Sequence, residues 1–167
     1  VFIDEAYADF SSDNCADFVN KYPNVIVSRT FSKSRSLAGL RFGYAIARPE
    51  LIEQLMKAKD SYNISMITQA VALAVFKDRD YLGKTVEAVK KTRFELDEKL
   101  RSFGFKTIPS ETNFVFAMPP DQDGERYFRF LRTKNIIVRY FPGARTGDRL
   151  RITIGTDAQM KTLLKYI

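Results

Sequence analysis

The feature that most constrains the fold is a pair of short β-branched runs separated by a polar segment of crossover length. The runs are Val1–Asp4 and Asn24–Ser28, and the segment between them has room for a helix at about 13–21. Parallel strands need such a connection, because a tight turn returns the chain antiparallel. The pattern therefore predicts buried parallel strands of an α/β sheet, followed by a third strand at Phe42–Ala47.

Helical periodicity dominates the middle of the chain. Apolar residues keep helical spacing after Pro49 and again over Thr68–Phe76. The longest helix is predicted over Tyr81–Phe103, and Gly104 ends it. Its apolar residues recur near one face of the helix. They are Leu82, Val86, Val89, Leu96 and Leu100.

Short strands and helices alternate in the last third of the chain. Strands are predicted at Phe114–Met118, Ile136–Tyr140 and Arg149–Ile154, and helices at Gly124–Lys134 and Asp157–Ile167. The chain therefore divides into part of a mostly parallel α/β sheet up to about Phe76 and a small α+β domain that begins with the long helix.

The composition excludes several kinds of catalysis. The 167 residues include no His and a single Cys, Cys15. Ser-His-Asp and Cys-His mechanisms and His metal sites are therefore ruled out, as are an intramolecular disulfide and a Cys-based zinc site. The net charge is +7, from 27 Lys and Arg against 20 Asp and Glu, but the basic residues are scattered among acids. This distribution favours a solvated surface over a nucleic-acid-binding patch.

The start of the chain indicates where the protein is found and how much of it is present. No apolar stretch reaches about 18 residues and no secretory signal is visible, so we expect a cytoplasmic protein without a membrane partner. The chain opens inside a predicted strand without an initiating Met. We therefore expect it to be the C-terminal portion of a longer protein.

Charged and polar residues near the ends of the predicted strands are the candidates for chemistry. Asp4 ends the first strand and Tyr7 follows it, while Lys33 follows the second strand and Arg41 precedes the third. Open α/β sheets bind ligands at the ends of their strands. Each residue alone would be an ordinary exposed loop residue, so the indication comes from the combination.

Three segments carry these residues in a specific order. They are Asp-Glu-Ala-Tyr-x-Asp-Phe at 4–10, Arg-Thr-Phe-Ser-Lys-Ser at 29–34 and Leu-Ala-Gly-Leu-Arg-Phe-Gly-Tyr at 37–44. The set resembles fold-type I pyridoxal-phosphate aminotransferases, and within them the histidinol-phosphate aminotransferase family most. The resemblance extends over nearly the whole chain. It implies that residues 1–76 belong to the cofactor-binding large domain and residues 77–167 to the small C-terminal domain.

The resemblance implies pyridoxal 5'-phosphate as the cofactor and assigns roles around it. Lys33 is the implied catalytic residue, which binds the cofactor aldehyde covalently and, once released, moves the substrate proton. Asp4 is expected to keep the pyridine nitrogen protonated, and Tyr7 to donate its hydroxyl to the phenolic oxygen. An Arg supplies a planar fork for the phosphate dianion. The implied phosphate-binding residues are Thr30, Ser32 and Arg41.

Two arginines on predicted strands of the small domain are candidates for substrate binding. Arg139 ends one strand and Arg151 lies in the motif Leu-Arg-Ile-Thr-Ile-Gly-Thr. Their positions alone fit either edge-strand surface arginines or a pair that converges on one anion. The resemblance implies that Arg151 binds the α-carboxylate of glutamate and Arg139 the phosphate of histidinol phosphate. The implied reaction transfers an amino group from glutamate to imidazole-acetol phosphate in histidine biosynthesis. Its products are 2-oxoglutarate and L-histidinol phosphate.

The resemblance also leaves alternatives. The family's glycine- and serine-rich phosphate loop, stacking aromatic ring and Asn precede its Asp-Glu-Ala-Tyr segment, so we expect this chain alone to bind the cofactor weakly and not to transaminate. The complete protein is expected to be a homodimer. An aromatic-amino-acid aminotransferase and a threonine-phosphate decarboxylase share Lys33, Asp4 and Arg41. A non-catalytic basic module that holds nucleic acid is the alternative of another class, against which the retained cofactor residues argue.

Overall fold

Seven strands form two sheets, one in each of the two units into which the chain divides. A computed structural model describes residues 1–167. The N-terminal unit is Val1–Val86 and the C-terminal unit is Glu87–Ile167, with the boundary inside the longest helix. No helix combines the length and the apolar composition that crossing a membrane requires.

The sheet of the N-terminal unit has three strands in the order β1-β2-β3, which are Phe2–Asp4, Ile26–Thr30 and Gly43–Ala47. Strands β1 and β2 are parallel, as predicted, and the register places Asp4 beside Ser28. Strand β3 runs antiparallel to β2. The loop between them contains one short 3-10 turn and no crossover helix, so it returns the chain in the opposite direction.

Strand β1 is more exposed than its sequence indicates. Val1 and Phe2 are 74% and 65% exposed, so the prediction of a buried strand is wrong for β1. The strand lies at the edge of the sheet, and a small core covers only one of its faces. In that core, Ile3 packs against a cluster that contains Val19 and the fully buried Val27 of β2.

Three helices belong to the N-terminal unit. They are α1 (Phe18–Lys21), α2 (Pro49–Ala58) and α3 (Met66–Lys77). The first is much shorter than the helix predicted at about 13–21. The side chain of Asp13 accepts a hydrogen bond from the N–H of Asn14 at 2.7 Å. The side chain of Asn14 accepts one from the N–H of Ala16 at 3.1 Å. Such local bonds compete with helical ones, which explains the late start of α1.

The C-terminal unit contains a four-stranded antiparallel sheet in the order β4-β5-β7-β6. Its strands are β4 (Lys106–Ile108), β5 (Phe114–Met118), β6 (Arg139–Tyr140) and β7 (Leu150–Thr153). The helices that follow α3 are α4 (Arg79–Ser102), α5 (Gly124–Thr133) and α6 (Asp157–Leu164). The sequence did not predict β4, because three residues are too few to show an alternation.

Strand β6 is shorter than the predicted strand Ile136–Tyr140, because the first of these residues takes part in the turn that ends helix α5. Asn135 adopts a left-handed conformation, with φ 57°. The N–H of Ile136 then donates to the carbonyl of Leu131 at 3.0 Å. This bond closes the helix in the manner of a Schellman motif and delays the start of the strand.

The core of the C-terminal unit lies between its sheet and its helices. Alternate residues of β5 and β7 point to one face and are almost completely buried. The long helix contributes Leu96 and Leu100 to this core, as the 3.6-residue spacing predicted. The other large buried residues of the core are Phe105, Val115, Leu131, Val138, Leu150, Ile152, Ile154 and Leu163.

Shortening Leu131 to Ala is expected to destabilise the C-terminal unit by about 2 to 5 kcal/mol, the usual cost of removing a buried leucine side chain. Leu131 is completely buried, whereas Ile137 nearby is 84% exposed. The control Ile137→Ala is therefore expected to change the free energy of unfolding by less than about 0.5 kcal/mol. Urea denaturation measures both changes. Equal, small effects of the two substitutions would contradict this packing.

Candidate functional site

The parallel pairing of β1 and β2 brings the ends of both strands to the same edge of the sheet. Asp4 ends β1, and its Oδ1 accepts hydrogen bonds from the N–H of Ala6 at 3.1 Å and the hydroxyl of Ser28 at 3.4 Å. These bonds hold the carboxylate in one orientation while its side chain stays exposed. The predicted pyridine-binding carboxylate is therefore fixed and accessible to a ligand.

Lys33 and Tyr7 lie next to each other, although they are far apart in the sequence. The Nζ atom of Lys33 is 5.7 Å from the centroid of the Tyr7 ring, within the range of a cation–π contact. Lys33 is in the loop that follows β2 and is exposed. Tyr7 immediately precedes a 3-10 helix at Ala8–Phe10. The structure thus places an exposed amine next to a phenol ring, at the same end of the sheet as Asp4.

The three predicted phosphate-binding residues form one connected group. Arg41 Nη1 donates to the hydroxyl of Ser32 at 3.3 Å and to the carbonyl of Ala38 at 3.1 Å. The N–H of Ser32 donates to the hydroxyl of Thr30 at 3.1 Å. Arg41 has φ 51°, a left-handed conformation that non-glycine residues seldom adopt. Such conformations concentrate at functional sites.

A partly buried ion pair lies next to these residues in the chain, and the sequence analysis did not identify it. Arg29 donates to one carboxylate oxygen of Glu5 through Nε at 3.0 Å and Nη2 at 2.9 Å, and the N–H of Cys15 donates to the other oxygen. The side chain of Glu5 is 7% exposed and that of Arg29 is 21% exposed. Burial lowers the pKa of Arg29, but hydrogen bonds and charges of Glu5 and Tyr44 outweigh it, so this pKa lies above its ordinary value.

The ion pair links the residues that follow and precede two predicted site residues. Glu5 comes directly after Asp4, and Arg29 directly before Thr30. The paired register ends at Asp4 and Ser28, and the N–H of Glu5, one residue beyond β1, donates to the carbonyl of Ser28 at 2.9 Å. The only signal in the sequence was a pair of opposite charges, one just after β1 and one in β2, and that signal depends on knowing the register.

Removing the carboxylate in Glu5→Ala is expected to lower the free energy of unfolding of the N-terminal unit by about 2 to 4 kcal/mol, because Arg29 is left partly buried without its partner. Glu5→Gln, which keeps two hydrogen-bonding atoms, is expected to lose less. Glu53→Ala on the exposed surface of α2 is the matched control. Chemical denaturation compares the three variants, and an effect of Glu5→Ala as small as that of Glu53→Ala would contradict this assignment.

Arg139 and Arg151 lie directly opposite each other on β6 and β7. Their Cζ atoms are 5.3 and 5.5 Å from the centroid of the same ring, that of Phe141, and Arg151 is also 5.2 Å from the ring of Phe114. The Nε atom of Arg151 is buried and has no hydrogen-bond partner. Facing like charges repel, and a buried unpaired donor costs free energy. An anion held by both guanidinium groups would relieve the repulsion between them.

An open cavity of about 800 Å³ also exists in the N-terminal unit, but it contains none of the predicted site residues. Its walls are mostly apolar and aromatic. The lining includes Phe31, Phe42, Tyr44, Tyr62, Leu73 and Phe76. Lys59 is the only charged residue of the lining, and no predicted site residue reaches the cavity, so we assign the candidate site to the charged residues instead.

The comparison with protein families identifies the class of this protein. The family model of aminotransferase class I and II matches residues 1–167, the whole chain. The chain therefore belongs to the aminotransferase class I and II family, and the family resemblance of the three sequence segments is confirmed.

Individual relatives narrow the class. The chain is 46% identical over 165 residues to a histidinol-phosphate aminotransferase of Geobacter sp. strain M21. The alignment covers 99% of this chain and 47% of that protein. The chain is also 46% identical over 167 residues to a histidinol-phosphate aminotransferase of Microcystis aeruginosa, covering 100% of this chain and 48% of that protein. The chain thus spans about half the length of the curated relatives it matches.

Solved structures confirm the fold class. The histidinol-phosphate aminotransferase from Clostridium acetobutylicum superposes with a TM-score of 0.89 at 25% identity, over 99% of this chain and 52% of that chain. The histidinol-phosphate aminotransferase from Sinorhizobium meliloti in complex with pyridoxal-5'-phosphate superposes with a TM-score of 0.87 at 29% identity, over 98% of this chain and 46% of that chain. The mixed α/β fold predicted from the sequence is that of these enzymes.

Proposed function

We propose that this chain is the C-terminal portion of a histidinol-phosphate aminotransferase. The reaction moves an amino group from glutamate to imidazole-acetol phosphate and yields 2-oxoglutarate and L-histidinol phosphate. The observation that carries the proposal is the contact of the Lys33 amine with the Tyr7 ring, in loops that follow the paired strand ends at Asp4 and Thr30. The names of the relatives support the choice of substrates. We expect the activity in a protein as long as these relatives.

The side chains at this edge fit pyridoxal phosphate. Asp4 offers a fixed, accessible carboxylate for the pyridine nitrogen, and Tyr7 offers a phenol near the amine of Lys33. The bound cofactor supplies an electron-withdrawing ring that makes the Cα proton of the substrate acidic. The residues proposed to hold its phosphate are Thr30, Ser32 and Arg41.

Lys33 is proposed to act twice. Its amine would hold the cofactor through the aldehyde carbon, and the free amine would take the proton from the substrate Cα. The exposure of Lys33 gives substrates access to it, and the Tyr7 ring limits where its amine rests. This division of work explains how a chain without His transfers protons.

Arg139 and Arg151 are proposed to bind the anionic groups of the substrates. Arg151 binds the α-carboxylate of glutamate, and Arg139 binds the phosphate of histidinol phosphate. Two adjacent guanidinium groups suit a site that receives in turn a dicarboxylate and a phosphate ester, because each group forms charge-assisted, planar pairs with such oxygens. The direct pairing of Arg139 with Arg151 across β6 and β7 supports this role.

The wider assignments follow from the same family resemblance. We infer that residues 1–76 form part of the cofactor-binding large domain and residues 77–167 the small domain. We also infer a cytoplasmic homodimer with small-molecule substrates and neither nucleic-acid nor membrane partners. Light scattering of a protein of the relatives' full length tests the dimer, and a monomer at assay concentrations would contradict it.

Substrate competition in a protein of the relatives' full length tests the proposed reaction. We expect histidinol phosphate to be the preferred amino donor to 2-oxoglutarate over phenylalanine and tyrosine. A preference for the aromatic amino acids would support the aromatic aminotransferase instead, and release of CO2 from threonine phosphate would support the decarboxylase. Salt-sensitive binding of duplex DNA without amino transfer would support the basic module.

A further inference from the structure

A hydrogen bond ties together the two segments that carry Tyr7 and Lys33. The hydroxyl of Ser34, the residue after Lys33, donates to the carboxylate of Asp9, which lies in the 3-10 helix that follows Tyr7. The two bonded residues are 25 positions apart in the sequence. Ser34 is 2% exposed and Asp9 is half-buried, so little water competes for the bond.

Buried aromatic residues anchor the same two segments. Phe10, directly after Asp9, is 2% exposed, and Phe31, two residues before Lys33, is 3% exposed. With Phe31 and Ser34 both held, the backbone of Lys33 has little freedom. The position of its amine then depends mainly on its own side-chain rotamer and on the Tyr7 ring that it faces at 5.7 Å.

We propose that Asp9 and Ser34 are a positioning pair that keeps the Lys33 amine against the Tyr7 ring. Neither residue was singled out in the sequence as part of the site. The inference rests on the proposed function for the importance of Lys33, but the geometry it describes exists without a cofactor. A hydroxyl that donates to a carboxylate forms a short and strong bond, which suits the bond for holding two loops at a fixed separation.

Two readouts on the 167-residue chain test the pair. The first is the NMR shift of the Lys33 ε-methylene protons, which the facing Tyr7 ring shields and which Lys33→Ala identifies by its disappearance. The second is the rate at which pyridoxal phosphate modifies Lys33, compared with the rate for Lys57. Borohydride fixes the modification, and peptide mapping measures it. The shift needs no cofactor, so the two readouts are independent.

We expect Ser34→Ala to abolish the ring-current shift and to slow modification of Lys33 about tenfold, the factor that loss of one charge-assisted hydrogen bond gives. Asp9→Asn, which keeps an acceptor oxygen of the same shape, is expected to give intermediate values. Ser102→Ala, which removes an exposed hydroxyl bond to Lys99 in the C-terminal unit, is the matched control and should change neither readout.

The outcomes separate this inference from the proposed function. If Ser34→Ala lowers the melting temperature but leaves the shift and the modification rate of Lys33 at wild-type values, the pair is merely structural and the inference is wrong. If the shift behaves as expected but pyridoxal phosphate modifies Lys33 of the wild-type chain no faster than Lys57, the positioning pair stands. In that case the proposed role of Lys33 fails.

Discussion

Lys33→Ala is expected to abolish amino transfer in a protein of the relatives' full length. The substitution removes both the amine that holds the cofactor and the base that moves the substrate proton. A positioned acid–base group alone contributes about 100- to 10,000-fold to a rate, and loss of covalent attachment adds to this. The measurement is the formation of glutamate from histidinol phosphate and 2-oxoglutarate at saturating pyridoxal phosphate.

A second lysine provides the control for this prediction. Lys57 is exposed on helix α2 and lies outside the group formed by Asp4, Tyr7 and Lys33. Lys57→Ala should retain wild-type activity. Retention of more than about a tenth of the activity in Lys33→Ala would contradict the proposed chemistry, since no other residue of the candidate site supplies an amine.

Arg151→Ala is expected to raise the KM for glutamate about 10- to 100-fold, the range that follows from losing hydrogen bonds to a charged group. Arg151→Lys should recover little of this loss. The Cζ atom of Arg151 is 5.2 and 5.5 Å from the ring centroids of Phe114 and Phe141. An ammonium group lacks the planar shape of the guanidinium and its two-pronged contact with a carboxylate. Initial-rate measurements with varied glutamate give the KM values.

The control for Arg151 is another arginine that stacks on a ring. Arg132 lies 6.0 Å from the ring centroid of Phe128 on helix α5 and is exposed. Arg132→Ala should leave the KM for glutamate unchanged. An equal rise in both variants would show that the effect comes from lost positive charge on the surface, and a wild-type KM in Arg151→Ala would remove this residue from the substrate site.

Long, periodic elements of the fold were predictable from the sequence. Helix α4 was found because one face repeats apolar residues from Leu82 to Leu100, and its Leu96 and Leu100 are buried as that spacing requires. Strand β4 was missed because Lys106–Ile108 is too short to show periodicity. Strand β1 was wrongly predicted to be buried, since an apolar run does not reveal whether a strand lies at the edge of its sheet.

The assignment of the site residues stays a prediction. Lys33 and Asp4 were chosen because the segments that contain them resemble the family, and the parallel register places the ends of their two strands side by side. The contacts that hold them were not predictable. The bonds of Glu5 to Arg29 and of Asp9 to Ser34 join residues 24 and 25 positions apart, and they exist only through the strand register and the loop conformations.

The most direct test of the account is to map the site at which pyridoxal phosphate attaches to the 167-residue chain. The chain is mixed with excess pyridoxal phosphate, reduced with borohydride, digested and analysed by mass spectrometry. We predict weak binding but a clear preference for Lys33 over the other lysines, a preference that denaturing the chain before reduction removes. Modification spread evenly over the surface lysines of the folded chain would contradict the assignment of Lys33 and the function built on it.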